Sequence, residues 1–325
     1  MKKMINTATI EGRVYKHELA IKTVQNAKSA NFGKSYISGK ISVATDEEGI
    51  NIVEVSYRYV SPTTNAGGAN STYAALEKVI SGATWSNNGK DAAVKVRLTP
   101  SIALNDFYVK EGSEDRFVSA KRFEGGFVNI IDKLTDGDRN KFTVDMFITN
   151  VTRIEENEEK NIPEHVSVRG AIFNYKNDIL PVDFVVTNEA GMTYFENLDA
   201  KPAEPVFTKV WGSLISEVKV EQITEESAFG EPSVREVERN TKRWVLTGTA
   251  TEAYEYGNEK ILTVDDIQKA SQNRQVYLAE VKKNYDEYQA QKAAGNTQAS
   301  AFAGALGNVA APAPASAAAV PNYGF

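Results

Sequence analysis

In the first 110 residues, cations and aromatic rings recur at alternate positions of several short segments: Arg13 and Tyr15, Tyr36 and Lys40, Arg58, and Lys95 and Arg97. Alternate residues of a β-strand share one face, so these side chains belong opposite the apolar residues between them. Lysine and arginine neutralise phosphates, and flat rings stack on unpaired bases irrespective of sequence, at about 1–3 kcal/mol per base. Single-stranded nucleic acid is the ligand class these residue types imply. Glu11 and Glu54 fall on the same face, and exposed cations also serve simply to keep a sheet soluble and its edges unpaired. Lys34 stands in a loop, 25–34, which with 61–70 is rich in Gly and Asn and suited to the rim of a binding face. A softer set follows later in the chain: His165, Arg169, Phe173 and Tyr175 alternate, as do Phe207, Lys209 and Trp211. From these, Arg169, Phe173, Lys209 and Trp211 join the candidate nucleic-acid-binding residues. Aromatics there serve a core equally well, Trp244 above all.

Catalytic chemistry has few carriers. The chain has no Cys, and His17 and His165 are its only imidazoles, which closes thiolate and cysteine–zinc chemistry. Gly33-Lys-Ser35 lacks the upstream glycine of a phosphate-binding loop. Asp132, Asp136 and Asp138 beside Gly137 suit a polar turn better than a calcium loop, and the Glu155, Glu156, Glu158 and Glu159 run is a solvated one. No catalytic residue, metal ligand or cofactor is expected. The net charge of −6 is unevenly spread: residues 1–110 carry 14 Lys and Arg against 9 Asp and Glu, leaving 23 against 34 beyond them. An overall acidity therefore does not exclude a phosphate partner for the first part. Neither a signal peptide nor an apolar span is present, so a cytoplasmic location (the host's, for a phage protein) and no membrane partner are expected.

The elements that must hold these residues follow from periodicity. Strands with period two are expected over 7–15, 36–45 and 51–60, then a helix capped by Ser71 and stopped by Gly82. Strands return over 93–98 and in a last pair within 106–131. Strand, strand, strand, helix, strand, strand is the order of an OB-fold. The theme recurs with strands over 142–151, 166–175 and 179–186, a helical stretch over 192–198, and strands over 206–221 and 243–250. Gly39 to Val43 followed by Ile52 to Val55 resembles Gly170 to Asn174 followed by Leu180 to Phe184, which leaves internal duplication open. Charged residues around Gly230-Glu-Pro232 make 224–240 an exposed excursion. From 263 to 292 the period becomes helical, with Ile267, Ala270, Tyr277, Leu278, Val281, Tyr285 and Tyr288 on a stripe suited to the second barrel or a second copy of the chain. Beyond Lys292 the chain is Ala, Gly and Pro without charge.

The expected fold is therefore mainly β: two OB-like five-stranded barrels in tandem, 1–135 and 136–260, then an amphipathic helix, 261–294, and a disordered Ala/Pro-rich tail, 295–325. With its start Asn6-Thr-Ala-Thr-Ile-Glu-Gly-Arg-Val-Tyr15 and a flexible tail ending in Phe325, the chain resembles the single-stranded-DNA-binding proteins of tailed phages and bacteria. That resemblance implies non-catalytic protection of single-stranded DNA in replication or recombination. It also implies recruitment of replication or recombination proteins by the tail tip, here Tyr323 and Phe325. The family's tip carries several Asp before a final Pro-Phe; Pro321-Asn-Tyr-Gly-Phe325 keeps the aromatic end without the acids. The alternative is a phage structural or assembly protein whose β-modules pair with other subunits. Self-association through the 263–292 helix is compatible with either.

Overall fold

The computed structural model describes residues 4–112, 114–157, 162–176, 178–202, 204–225, 233–254 and 264–293, with backbone alone at 217–225 and 233–241. The tail with Tyr323 and Phe325 lies outside the described residues.

The first barrel runs β1 (Asn6–His17), β2 (Ala20–Thr23), β3 (Ser35–Ala44), β4 (Ile52–Val60), α1 (Ser71–Ser81), the single-turn α2 (Trp85–Asn88), β5 (Lys95–Glu111) and β6 (Glu114–Ile130). β1 pairs antiparallel with β3 and β5, β3 with β4, β5 with β6, and β4 runs parallel to β6. These pairings close a ring in the OB-fold order. Ile10, Val14, Ile41, Val53, Val55, Leu98 and Phe123 fill it, each inaccessible to solvent. The cap of α1 is Asn70, not Ser71: its side chain accepts the Thr72 amide at 3.1 Å.

The second barrel repeats the scheme with β7 (Asn140–Ile154), β8 (His165–Phe173), β9 (Ile179–Val186), α3 (Glu189–Glu196), β10 (Val206–Glu225) and β11 (Ser233–Thr249). β7 pairs antiparallel with β8 and β10, β8 with β9, β10 with β11, and β9 meets β11 in parallel. Of the expected excursion over 224–240, the described residues 224–225 and 233–240 are instead the far end of the β10–β11 ladder, whose pairs run to Glu225↔Ser233. Likewise the strand begun at 95 does not stop near Leu98. Pro100 is absorbed by a register shift between Thr99 and Ser101, and β5 continues to Glu111.

The two barrels are related by a repeat that the ladders make explicit. β1 pairs antiparallel with β7, and Asn6↔Val144 and Ile10↔Asn140 lie symmetrically about Ala8↔Phe142. Counting outward, Ile10↔Leu98 corresponds to Val144↔Val210, and Lys40↔Ser56 to Ser167↔Val185. The bulge between Val14 and Lys16 has its counterpart between Ile148 and Asn150. Each long hairpin leans on the other barrel. Lys121 of β6 binds Asp183 of β9 at 2.7 Å, and Lys242 of β11 binds Glu54 of β4 at 2.8 Å. Lys121-Arg122-Phe123 and Lys242-Arg243-Trp244 are thus corresponding triplets, and their aromatic members meet at 4.6 Å between centroids. One apolar cluster runs through both barrels.

The long helix α4 (Val264–Ala293) straps the two halves. Ile267 and Ala270 close over Met4, Phe147, Phe173 and Phe207 on the outside of the second barrel. One turn on, Arg274 makes a bidentate ion pair with Asp106 of β5, at 2.6 and 2.8 Å. Further along, Tyr285 donates to Asp115 of β6 at 2.8 Å. The stripe expected to seek the second barrel does so, and then continues onto the hairpin of the first.

Candidate nucleic-acid interface

The outer face of β3 and β4 holds Tyr36, Lys40 and Arg58 together. Tyr36 stacks on Tyr59 with centroids 4.7 Å apart and planes 26° from parallel, and Tyr59 is 44% exposed. Two irregularities shape this face. Between Ile37↔Val60 and Gly39↔Tyr57, β4 has one residue more than β3, so consecutive Arg58 and Tyr59 both reach solvent. Gly39 sits there at φ 137°, where a Cβ would fall 2.1 Å from the carbonyl oxygen of Glu18. On β1 the extra residue is at Tyr15, after which Lys16, not Tyr15, stands beside Ser42 and Lys40 on the outer face.

Two carboxylates are set among the cations. Burial works against the charge of Glu54, but Lys242, Lys40 and Lys16 hold its carboxyl below the ordinary carboxylate range. Arg58 and Arg122 share Glu124 at 2.9 and 2.6 Å. Lys16 and Lys40 have no ion pair or hydrogen bond of their own side chains among the described residues, and Lys22 of β2 lies opposite Tyr36. Lys34 bonds Asn31 at 3.1 Å in the loop that follows β2. Periodicity alone missed Lys16, Tyr59, Arg122 and Lys242; the bulges and the crossing hairpins bring them in.

Arg13, Tyr15, Lys95 and Arg97 belong to another side of the barrel. Arg97 binds Glu11 at 2.7 Å and Thr135 at 3.1 Å; Glu11, 2% exposed, also accepts the Thr135 amide, and Lys95 donates to the Asp132 carbonyl at 2.8 Å. These contacts pin the 131–139 connection against the barrel. Tyr15 packs at 6.2 Å on Trp85. Arg13 meets Glu47 at 3.2 Å, together with Lys90 at 2.8 Å and Arg139 at 2.7 Å. The hydrogen bonds from Lys90 and Arg139, with the charge of Arg13, lower the Glu47 carboxyl from 4.5 to about 2. Because the folded value is the lower one, stability from this carboxylate is whole above pH 4.5 and is lost as pH falls towards about 2. In acid unfolding, Glu47→Gln is expected to be less stable than the wild type at neutral pH, with the gap narrowing across that window; a pH-independent gap would exclude the charge as its source.

In the second barrel the corresponding face is poorer in cations. Ser167 replaces Lys40 and Val185 replaces Ser56, and the outward Arg169 lies opposite Asp183. Phe173 has the outward parity expected of it, but α4 roofs it: it is fully buried against Phe147 at 5.8 Å and offers no surface to a base. Lys209 lies opposite Asp145 on β7. Trp211, 39% exposed, lies over Gly248, where a Cβ would fall 2.4 Å from its Nε1. At the matching cross-strand pair of the first barrel, Thr99↔Phe127, Phe127 is 67% exposed. No three His, Asp or Glu side chains among the described residues are placed to hold a metal ion. No helix among them is long and apolar enough to cross a membrane.

Fold and face together define a tandem OB-fold protein with cations and stacked tyrosines on its first barrel. The chain belongs to the YorF family, whose family model matches residues 5–284. No curated protein matches it by sequence. Among solved structures it is similar to the wild-type single-stranded DNA binding protein from Thermus aquaticus, at 10% identity and a TM-score of 0.41, over 79% of this chain and 100% of that one. A deletion mutant of the same protein matches at 11% identity and a TM-score of 0.43, over 80% of this chain and 100% of that one.

Proposed function

We propose that the protein binds and protects single-stranded DNA, without catalysing a reaction, on the outer face of β3 and β4. The observation that carries this is the Tyr36–Tyr59 stack beside Lys16, Lys40, Arg58 and Arg122. An OB-fold uses this strand pair, with the loop between its first two strands and the hairpin between its last two, for oligonucleotides. Rings take the bases, cations take the phosphates, and neither contact reads sequence. Arg13, Lys95 and Arg97 lie on another side of the barrel and are not assigned to this face. A role in replication or recombination follows from the ligand class, those being processes that expose single strands.

Fluorescence anisotropy with labelled oligo-dT at several salt concentrations tests the proposal. A slope of about −0.7 in log K against log salt is expected for each phosphate neutralised, hence about −3 for four cations. Lys40→Gln with Arg58→Gln should flatten it by about 1.4. Absence of binding, or equal affinity for duplex DNA, would sink the idea. A structural or assembly role is favoured by exposed Phe127 and Trp211, which suit contacts with another protein. Under that role, oligo-dT affinity would not respond to changes at Lys40 and Arg58.

A further inference from the structure

Three separate segments converge on Glu47, which stands on a fourth. Arg13 comes from β1, Lys90 from the loop after α2, Arg139 from the residue preceding β7, and Glu47 itself from the turn between β3 and β4. The cations are held more firmly than the anion. The side chains of Arg13 and Arg139 are 14% and 13% exposed, and that of Lys90 34%, against 47% for Glu47. Arg139 is fixed further by donating its Nε to the Thr135 carbonyl at 2.7 Å. Lys90 also donates to the backbone carbonyl of Glu47 at 2.6 Å. Arg13 has a buried Nε with no hydrogen-bond partner among the described residues. One carboxylate therefore answers three cations, with an unsatisfied donor beside it, in a partly exposed cluster.

Such a cluster suits a ligand with more charge and more acceptor oxygens than a carboxylate. The turn that carries Glu47 does not rely on that side chain for its shape. Asp46 organises it by accepting the amides of Gly49 at 2.8 Å and Asn51 at 2.7 Å, so the turn keeps its shape without the Glu47 contacts. Trp85 lies beside it: a Cβ on Gly49 would approach the indole to 3.1 Å, and Lys90 sits 5.6 Å from the ring centroid. Movement of the turn should therefore change the emission of Trp85.

We propose that Arg13, Lys90 and Arg139 form a phosphate-binding site in which Glu47 is the resident, displaceable anion. The phosphate group belongs either to a free phosphate compound or to a nucleic-acid backbone passing this side of the barrel. The site stands apart from the β3–β4 face and does not depend on it.

Pyrophosphate is the probe, titrated into the wild type and Glu47→Gln with tryptophan fluorescence as readout and Trp85→Phe to assign the signal. Glu47→Gln is expected to bind pyrophosphate about tenfold more tightly than the wild type, and Glu47→Gln with Arg139→Gln to lose that gain. Equal affinity in Glu47→Gln and the wild type, or an undiminished gain in the double variant, would overturn the proposal. If Glu47→Gln does not fold, Glu47→Asp withdraws the carboxylate by one methylene and should bind several-fold more tightly; no gain there overturns it too. A gain confined to pyrophosphate assigns the site to free phosphate compounds, and a parallel gain for oligo-dT assigns it to the backbone. Failure of the wild type to bind oligo-dT would remove the β3–β4 reading and leave the pyrophosphate result standing.

Discussion

Arg274→Met is expected to lower the free energy of unfolding by about 3–5 kcal/mol, the range for breaking a buried ion pair from one side. Asp106 has a side chain only 1% exposed, and Arg274 supplies two of its hydrogen bonds. Without them the carboxylate keeps, among the described residues, only the Ser119 hydroxyl at 2.6 Å, with its charge uncompensated. Other contacts of α4 with the hairpin cannot substitute. Lys282 lies 3.4 Å from Asp115 in a partly exposed pair, where ion pairs contribute about 0–1 kcal/mol. Urea unfolding followed by circular dichroism measures the loss. Asp106→Leu with Arg274→Met should recover most of it, because the cost lies in the orphaned charge and not in the missing contact. A loss below about 1 kcal/mol would show that Asp106 finds water or another partner when α4 loosens.

Why some of this was legible and some was not comes down to which forces leave a local pattern. In β1, β3 and β4 one face is buried, so alternation placed Tyr36, Lys40 and Arg58 on the same outer surface. A bulge leaves no such trace. The extra residue at Tyr15 sent that ring to Trp85 and put Lys16 in its place, and the extra residue in β4 exposed Tyr59 beside Arg58. The strand expected over 93–98 runs on because Pro100, which lacks an amide donor, sits at the register shift between Thr99 and Ser101. The 224–240 segment reads as loop because Gly230-Glu-Pro232 is turn chemistry and the charged residues around it show no apolar alternation. Phe173 had the right parity, but its roof is α4, nearly a hundred residues further on.

The internal repeat was half visible. Comparing Gly39 with Gly170 misaligns the strands by four residues: the ladders set Val43 in the place of Gly170, since Val14↔Val43 corresponds to Ile148↔Gly170. The neighbouring match of Val53-Glu54-Val55 with Val182-Asp183-Phe184 is right. It is held by the reciprocal ion pairs Lys242–Glu54 and Lys121–Asp183, which depend on acids in both places. The duplicated parts are those that close the barrels and join them. The outer faces have diverged, one with Lys40 where the other has Ser167. One repeat thus carries cations on its outer face, while the other is roofed by the helix that ties both together.

That divergence sets the largest expected effect on binding, which falls on Tyr59. With its ring 44% exposed and stacked at 4.7 Å on half-buried Tyr36, Tyr59 is the platform and Tyr36 its support. Tyr59→Ala should weaken oligo-dT binding by about 1–3 kcal/mol, or about 5- to 150-fold. Tyr36→Ala should cost less, because an unsupported Tyr59 ring still offers a face, and the double variant should cost less than the two losses summed, as residues in contact are not additive. Tyr59→Phe should change little, since stacking needs the ring and not its hydroxyl. In none of these variants should the salt slope move, because no cation is removed. Trp211→Ala on the second barrel should leave the affinity as it was. Anisotropy titrations at two salt concentrations read all of these outcomes, and unchanged affinity in Tyr59→Ala would take the base contacts off this face.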